Sequence, residues 1–281
     1  MKINFTEFSY GYAFTENLIR SSRSGPTTAP VFPNLVQEAQ LGYDVKIDLP
    51  GIPLFFQFKL PEIMVRDTAR EISQLALPGL SVPFFRMPLM RRDLSDQHKH
   101  MIGLEGKFPN TVFYATPEID NSTAFNEAYG RADVHACSAF FSPSNIGPLP
   151  NDKNHVVAYS ANCLNAWFCS DPEKINKLGF DTIFEITNKQ LSQQSESTIK
   201  ESIKRVRDDI SPLFPRELRQ SEPDIRNRIA QRRPAGDGSL SDDDRIRSVS
   251  TEILVLRELA RVGLGVDLLI AQPRNSQKKK K

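Results

Sequence analysis

The chain has 281 residues, of which 39% are hydrophobic and 25% are charged, and its formal net charge is +2. These values are typical of a globular protein with one large domain, or with a core and a second lobe. A net charge this close to zero excludes a protein that coats nucleic acid by bulk attraction, so any nucleic-acid surface has to be a local patch.

The spacing of the cysteines and the length of the apolar runs indicate the cellular compartment of the protein. The three cysteines, Cys137, Cys163 and Cys169, lack regular spacing, which favours a reducing compartment and buried structural thiols over disulfides or a zinc site. No apolar run approaches the ~18 residues of a membrane span, and Glu7 comes before any apolar signal-peptide core. We therefore expect a cytoplasmic protein that does not contact membranes.

The first 20 residues predict an amphipathic helix. Phe8, Tyr12, Phe14 and Leu18 recur at roughly helical spacing. This segment is expected to lead into the main domain.

Two short strands joined by a turn are predicted next, over 42–48 and 54–60. Both arms are rich in β-branched and aromatic residues, and a glycine flanked by prolines separates them. Residues alternate in the second arm, so Gln57 and Lys59 fall on the same face. Asp44 begins the first arm. The predicted hairpin therefore places an acid opposite an amide and an ammonium group.

Charged side chains are unusual inside apolar strands. A carboxylate or an ammonium in such a strand is unfavourable unless it is paired, metal-bound or at the end of the strand. Asp44 facing Gln57 and Lys59 is an arrangement that can assemble a hard divalent cation and an activated water. Asp48 alternates to the same face as Asp44 and is the alternative ligand if the register differs.

Asp44 followed by Gln57-Phe58-Lys59 resembles the PD-(D/E)XK, or restriction-endonuclease-like, nuclease superfamily, in the variant that carries Gln in place of the second acid. The resemblance covers residues 30–118 and implies an α/β fold with an αβββαβ core, in which helices flank a mixed central sheet. The segments similar to successive elements of that fold are its first helix (33–42), its second helix (95–104) and the strand that follows (111–117).

The resemblance implies a metal-dependent endonuclease that cleaves DNA. Asp44, Gln57 and Glu38 would bind Mg²⁺ or Mn²⁺, and Lys59 would assist the attacking water. Gln57 offers only a neutral oxygen, so Glu38 or a substrate phosphate has to contribute to metal binding, or the site is degenerate. The alternative for Glu38 is an exposed helix acid without a role.

A local positive cluster follows the hairpin. Arg86, Arg91 and Arg92 lie in and after an extended segment over 81–89, which its prolines mark as an edge strand. In a nuclease this cluster would contact the DNA backbone, whereas a solvated charge run needs no function. Gln97 matches a helix position that the family often fills with Gln beside its active site, and we group it with the DNA-contacting residues.

Residues 171–281 differ from residues 1–170 in having few aromatic and many charged side chains. Amphipathic helices are predicted over 195–210 and from 241 to 260, and 266–270 predicts a final strand that returns to the sheet edge. We therefore expect a nuclease-like α/β core followed by a mostly helical C-terminal region.

Two functions of different classes follow from these residues. The first is a DNA nuclease, expected to be controlled by a regulatory protein partner or by homo-oligomerisation and to act in antiviral defence. The second is a non-catalytic adaptor that keeps the nuclease-like fold to bind nucleic acid or a protein. Alanine substitutions at Asp44 and Lys59 separate the two, because an adaptor has no cleavage to lose.

Overall fold

The structure is a computed structural model that describes residues 3–21, 50–161, 163–231 and 241–272. Over 241–247 it describes the backbone and not the side chains. The strands in these ranges are β1 (Ile52–Phe58), β2 (Glu62–Met64), β3 (Phe84–Leu89), β4 (Val112–Pro117), β5 (Ser138–Phe141), β6 (His155–Tyr159), β7 (Asn165–Phe168), β8 (Glu173–Asn176) and β9 (Asp267–Ala271).

The helices cover the sheets and make up most of the last hundred residues. Those in the described ranges are α1 (Glu7–Ser21), α2 (Arg70–Ser73), α3 (Gln97–Lys107), α4 (Ser122–Gly130), α5 (Pro143–Ile146), α6 (Phe180–Ser192), α7 (Ile199–Ile210), α8 (Arg216–Gln231) and α9 (Ser241–Leu264).

Strand β1 is buried from end to end because both of its edges are paired and both of its faces are covered. It runs parallel to β4 and antiparallel to β9 in a four-stranded sheet of order β5-β4-β1-β9. An apolar run without a solvent-facing side is typical of a central strand in such a sheet. The chain is therefore an α/β protein with a mixed sheet, as predicted.

The second arm of the predicted hairpin, 54–60, does form a strand, β1, but its predicted pairing with the first arm, 42–48, is wrong. The antiparallel partner of β1 is β9, with Asp267 opposite Phe56, and the other edge of β1 pairs with β4. The first arm lies outside the described residues. The final strand predicted over 266–270 is confirmed as β9, at the edge of this sheet. Turn residues mark a chain reversal, but packing over long sequence separations decides which strand lies alongside.

The second sheet is antiparallel, with the order β2-β3-β6-β7-β8. The edge strand predicted over 81–89 forms β3, which has a neighbour on each side and so is not an edge strand along its whole length. Its partner β2 covers only residues 84–86. Pro88 therefore lies where one side of β3 is open and no N–H is required. Beyond residue 170, β8 continues this sheet by pairing with β7.

The two faces of β1 contribute to two separate apolar clusters, which confirms the predicted alternation. Phe55 packs against Phe108 at the start of the turn after α3, with ring centroids 5.2 Å apart. On the opposite face, Phe56 and Phe58 each lie 5.2 Å from the ring of Phe14 in α1. Each fully buried aromatic side chain contributes about 1.5–3 kcal/mol to folding, so these contacts fix β1 between α1 and the rest of the core.

Helices α7, α8 and α9 pack on the same side of the sheet as Phe55, whereas α6 contributes Ile183 to the cluster on the other side. A capping box between Thr198 and Glu201 begins α7, whose predicted apolar stripe of Ile199, Ile203 and Val206 is buried. Packing of α7 against α9 brings the chain back to β9. None of the helices in the described ranges has an apolar stretch long enough to cross a lipid bilayer.

Candidate functional site

A chain of three polar side chains lies at the carboxyl end of β1. The Lys59 ammonium donates a hydrogen bond to Gln97 Oε1 at 2.9 Å, and Gln97 Nε2 donates to Gln57 Oε1 at 2.9 Å. Gln57 Nε2 in turn donates to the carbonyl of Phe58 at 3.1 Å. Gln57 and Lys59 are only 7% and 8% exposed, whereas Gln97 is half-buried. We call these three residues the Lys-Gln-Gln chain.

The topology explains why Gln97 reaches the two strand residues. Helix α3 leads into β4, which runs parallel to β1, so the first residue of α3 lies at the carboxyl end of β1. The carboxyl ends of parallel strands are where ligands commonly bind in open α/β sheets. The sequence prediction that grouped Gln97 with site residues therefore identified a side chain that touches both Gln57 and Lys59.

Gly265, between α9 and β9, lets the backbone come close to this chain. A Cβ atom at this position would lie 2.8 Å from Gln97 Nε2 and 3.4 Å from Gln57 Oε1, and its φ of +66° is in the left-handed region. Any other residue would be strained and would push against the amide of Gln97. The glycine thus allows the C-terminal segment to close over the site.

The electrostatics of Lys59 are unusual because its ammonium hydrogen-bonds a neutral amide. Burial lowers the pKa of Lys59 below its ordinary value, and the negative charge of Glu7 partly opposes this shift. Burial raises the pKa of Glu7, in the first turn of α1, and the Lys59 ammonium and the backbone N–H of Leu60 oppose this shift. By accessible surface, Glu7 as a whole is exposed.

A second carboxylate, Asp267, lies close to Glu7 at the start of β9. Burial raises the pKa of Asp267, and the positive charges of Arg257 and Arg261 oppose this shift. The negative charge of Asp267 also raises the pKa of Glu7. Neither acid was predicted from the sequence, because Glu7 lies some fifty residues before Lys59 and Asp267 some two hundred after it. Recognising β9 as the partner of β1 would have pointed to Asp267.

Of the predicted metal ligands, Gln57 lies within the described residues. Asp44, Glu38 and the alternative Asp48 lie outside the described residues. Gln57 is at the site, but its carbonyl oxygen already accepts a hydrogen bond from Gln97. Over the described ranges, no three acids, histidines or cysteines come together as a metal-binding group.

The three arginines predicted to contact DNA are each paired with a carboxylate. The Glu71 partner of Arg86 is itself buried, and this pair joins α2 to β3. The guanidinium groups of the other two are at the surface. The three pairs are Arg86–Glu71, Arg91–Asp93 and Arg92–Asp152.

The three cysteines have free thiols and differ in how far they are buried. Cys169 is buried, which raises its pKa to about 12. Cys137 and Cys163 are only half-buried, so the prediction of three buried thiols is correct for Cys169 alone.

Both ring nitrogens of His98 are hydrogen-bonded, one to the Tyr114 hydroxyl and the other to the carbonyl of Gly147.

No family model matches the chain, and no curated protein or solved structure is significantly similar to it. Its function therefore has to be argued from the chemistry of its own residues.

Proposed function

We propose that the chain is a metal-dependent phosphodiesterase of restriction-endonuclease-like type that cleaves DNA at the carboxyl end of β1. The observation that carries the proposal is the position of Lys59, an almost fully buried ammonium held beside Gln57 by Gln97. An ammonium kept out of water at the carboxyl end of a parallel strand is a group whose charge is available for an anionic substrate.

Lys59 is the residue that would act on the phosphate. Because water is largely excluded from it, its charge would interact more strongly with an incoming phosphate than the charge of a surface lysine. It would stabilise the negative charge that develops on the phosphoryl oxygens and would orient the attacking water. Gln97 is a positioning residue in this proposal, because it fixes both Lys59 and Gln57.

A divalent cation needs more than the described residues provide. Hard cations bind carboxylate oxygens, and Gln57 alone contributes one neutral oxygen. The proposal therefore assigns the carboxylates to Asp44 and Glu38, which with Gln57 make a donor set suited to Mg²⁺ or Mn²⁺. When bound, the cation would polarise the scissile phosphate and lower the pKa of a water molecule.

Plasmid cleavage tests the proposal. We expect cutting of supercoiled or single-stranded DNA that requires Mg²⁺ or Mn²⁺. A loss of about a hundredfold or more is expected in Lys59→Ala, which removes the charge that stabilises the phosphoryl oxygens, and in Asp44→Ala, which removes a ligand of the cation. Lys153→Ala, which removes an exposed lysine in the loop before β6, serves as the matched control and is expected to cut like the wild type.

The outcomes separate the position of the site from the activity itself. Cutting that survives both Lys59→Ala and Asp44→Ala, in protein that folds normally by circular dichroism, would mean that the site lies elsewhere. No cutting by the wild type, with either metal or either form of DNA, would contradict the nuclease.

A non-catalytic adaptor is the second candidate. The hydrogen bonds within the Lys-Gln-Gln chain, and the pairing of Arg86, Arg91 and Arg92 with carboxylates, favour it. An adaptor would bind DNA or a protein partner without cutting, and its binding would be unchanged in Lys59→Ala. Electrophoretic mobility shifts with labelled DNA measure this directly.

A further inference from the structure

A second concave site lies at the amino-terminal end of β1, away from the Lys-Gln-Gln chain. Its volume is about 270 Å³, and its walls are formed by residues 51–53, the end of α3 and the segment that joins α6 to α7. This is room for several water molecules rather than one. The cavity is therefore large enough for an organic ligand.

The charges of the lining point to an anion. Lys107, in the last turn of α3, and Arg205, in α7, both line the cavity, and no acidic side chain does so among the described residues. Arg205 donates a hydrogen bond to Glu196 at 2.9 Å and lies 3.8 Å from Asp209, yet its side chain is still 52% exposed. Two cations that line one cavity suit a phosphate group, which accepts several charge-assisted hydrogen bonds.

The uncharged lining suits a purine base. The lining includes Gln190, Gln193 and Gln194, of which Gln194 already donates to the carbonyl of Gly51 at 3.2 Å. Phe108 and Pro109 contribute apolar surface. A glutamine amide can match the donor and acceptor of the adenine edge. The ligand that combines this base with a phosphate and fits a small cavity is a nucleoside monophosphate.

Gln190 has an incomplete set of hydrogen bonds. Its Nε2 donates to the carbonyl of Pro109 at 2.8 Å, but its buried Oε1 has no partner among the described residues. Buried polar atoms without partners are rare in folded proteins. We expect this oxygen to gain a partner from a ligand that carries a donor, such as the amino group of adenine.

We propose that this cavity binds an adenine mononucleotide, with Lys107 and Arg205 on the phosphate and the glutamine amides on the base. The site is separate from the proposed nuclease site and does not depend on it. Two elements connect the cavity to the Lys-Gln-Gln chain. Strand β1 has Pro53 at the cavity and Gln57 in the chain, and α3 has Lys107 at the cavity and Gln97 in the chain.

Isothermal titration calorimetry of the full chain with adenosine 5′-monophosphate tests the proposal. We expect saturable one-to-one binding that is about tenfold or more weaker in Lys107→Gln and in Arg205→Gln, because each removes a charge-assisted hydrogen bond. The matched control is Arg131→Gln, which removes another exposed, ion-paired arginine outside the cavity and should leave binding unchanged. Thermal unfolding of each variant confirms that it is folded.

Separate titrations with adenosine, inorganic phosphate and uridine 5′-monophosphate define the ligand. Each is expected to bind at least about tenfold more weakly than the adenine nucleotide, because each lacks one recognised part. Absence of adenine nucleotide binding at millimolar concentration would overturn the proposal. Equal weakening by Arg131→Gln, or equally tight binding of phosphate or of the uridine nucleotide, would also overturn it.

Discussion

The Lys-Gln-Gln chain and the helical region both withdraw charge from water, but they compensate for it differently. Between α7, α8 and α9, every charge of one cluster faces an opposite charge: Arg207 and Arg226 both contact Glu252 and Glu222. At the end of β1, Lys59 hydrogen-bonds a neutral amide, and its pKa is lowered by burial. We call the four residues on the helices the bundle ion cluster.

The difference separates stability from function. A compensated cluster ties helices together, and breaking it leaves uncompensated charge. An incompletely compensated buried charge costs stability, and such groups concentrate at functional sites. The two regions therefore predict opposite responses to the removal of a charge.

The largest effect on stability is expected in the bundle ion cluster. Glu252→Ala leaves Arg207 and Arg226 with Glu222 alone, so we expect the free energy of unfolding to fall by roughly 2–3 kcal/mol, less than for a fully buried pair because these side chains are partly exposed. Urea denaturation measures the loss. Asp133→Ala breaks the exposed pair with Arg131 and should cost less than about 1 kcal/mol. Similar losses in both variants would show that the cluster is not cooperative.

A smaller effect is expected where the backbone closes over the site. Gly265→Ala adds the strain of a positive φ and a clash with Gln97, whereas Gly79→Ala, at φ +76°, meets only Cys163 Sγ at 3.7 Å. The Gly79 variant should lose roughly 1 kcal/mol from backbone strain, and the Gly265 variant clearly more. The difference between their urea midpoints isolates the clash. Equal losses would mean that Gln97 moves aside without cost.

The smallest effect is a pH dependence produced by Lys59. Its native pKa lies below the ordinary value of 10.5, so between these two values the unfolded chain binds more protons than the native chain. The stability of the wild type relative to Lys59→Met should therefore rise with pH across that interval, because the native state no longer holds a buried charge. Urea midpoints from neutral pH to about pH 10 test this. A flat curve for this difference between the wild type and Lys59→Met would contradict the lowered pKa.

Local patterns were sufficient to predict much of the chain. Alternation around Gln57 predicts β1 and its two faces, helical spacing predicts α1 and the stripe of α7, and the apolar run at 266–270 predicts β9. These succeed because the period of a helix or strand is written in neighbouring residues. The same periodicity brought Gln57 and Lys59 to one side of β1.

Tertiary structure alone decided what surrounds those two residues. The partner of β1, the acids Glu7 and Asp267, and the carboxylate that pairs with Arg92 all come from distant parts of the sequence. The amino-acid sequence by itself determined which side chains are polar within an apolar strand and which segments are helices or strands. Which charges these side chains meet was decided by packing between segments, because no local period records a contact made across many intervening residues.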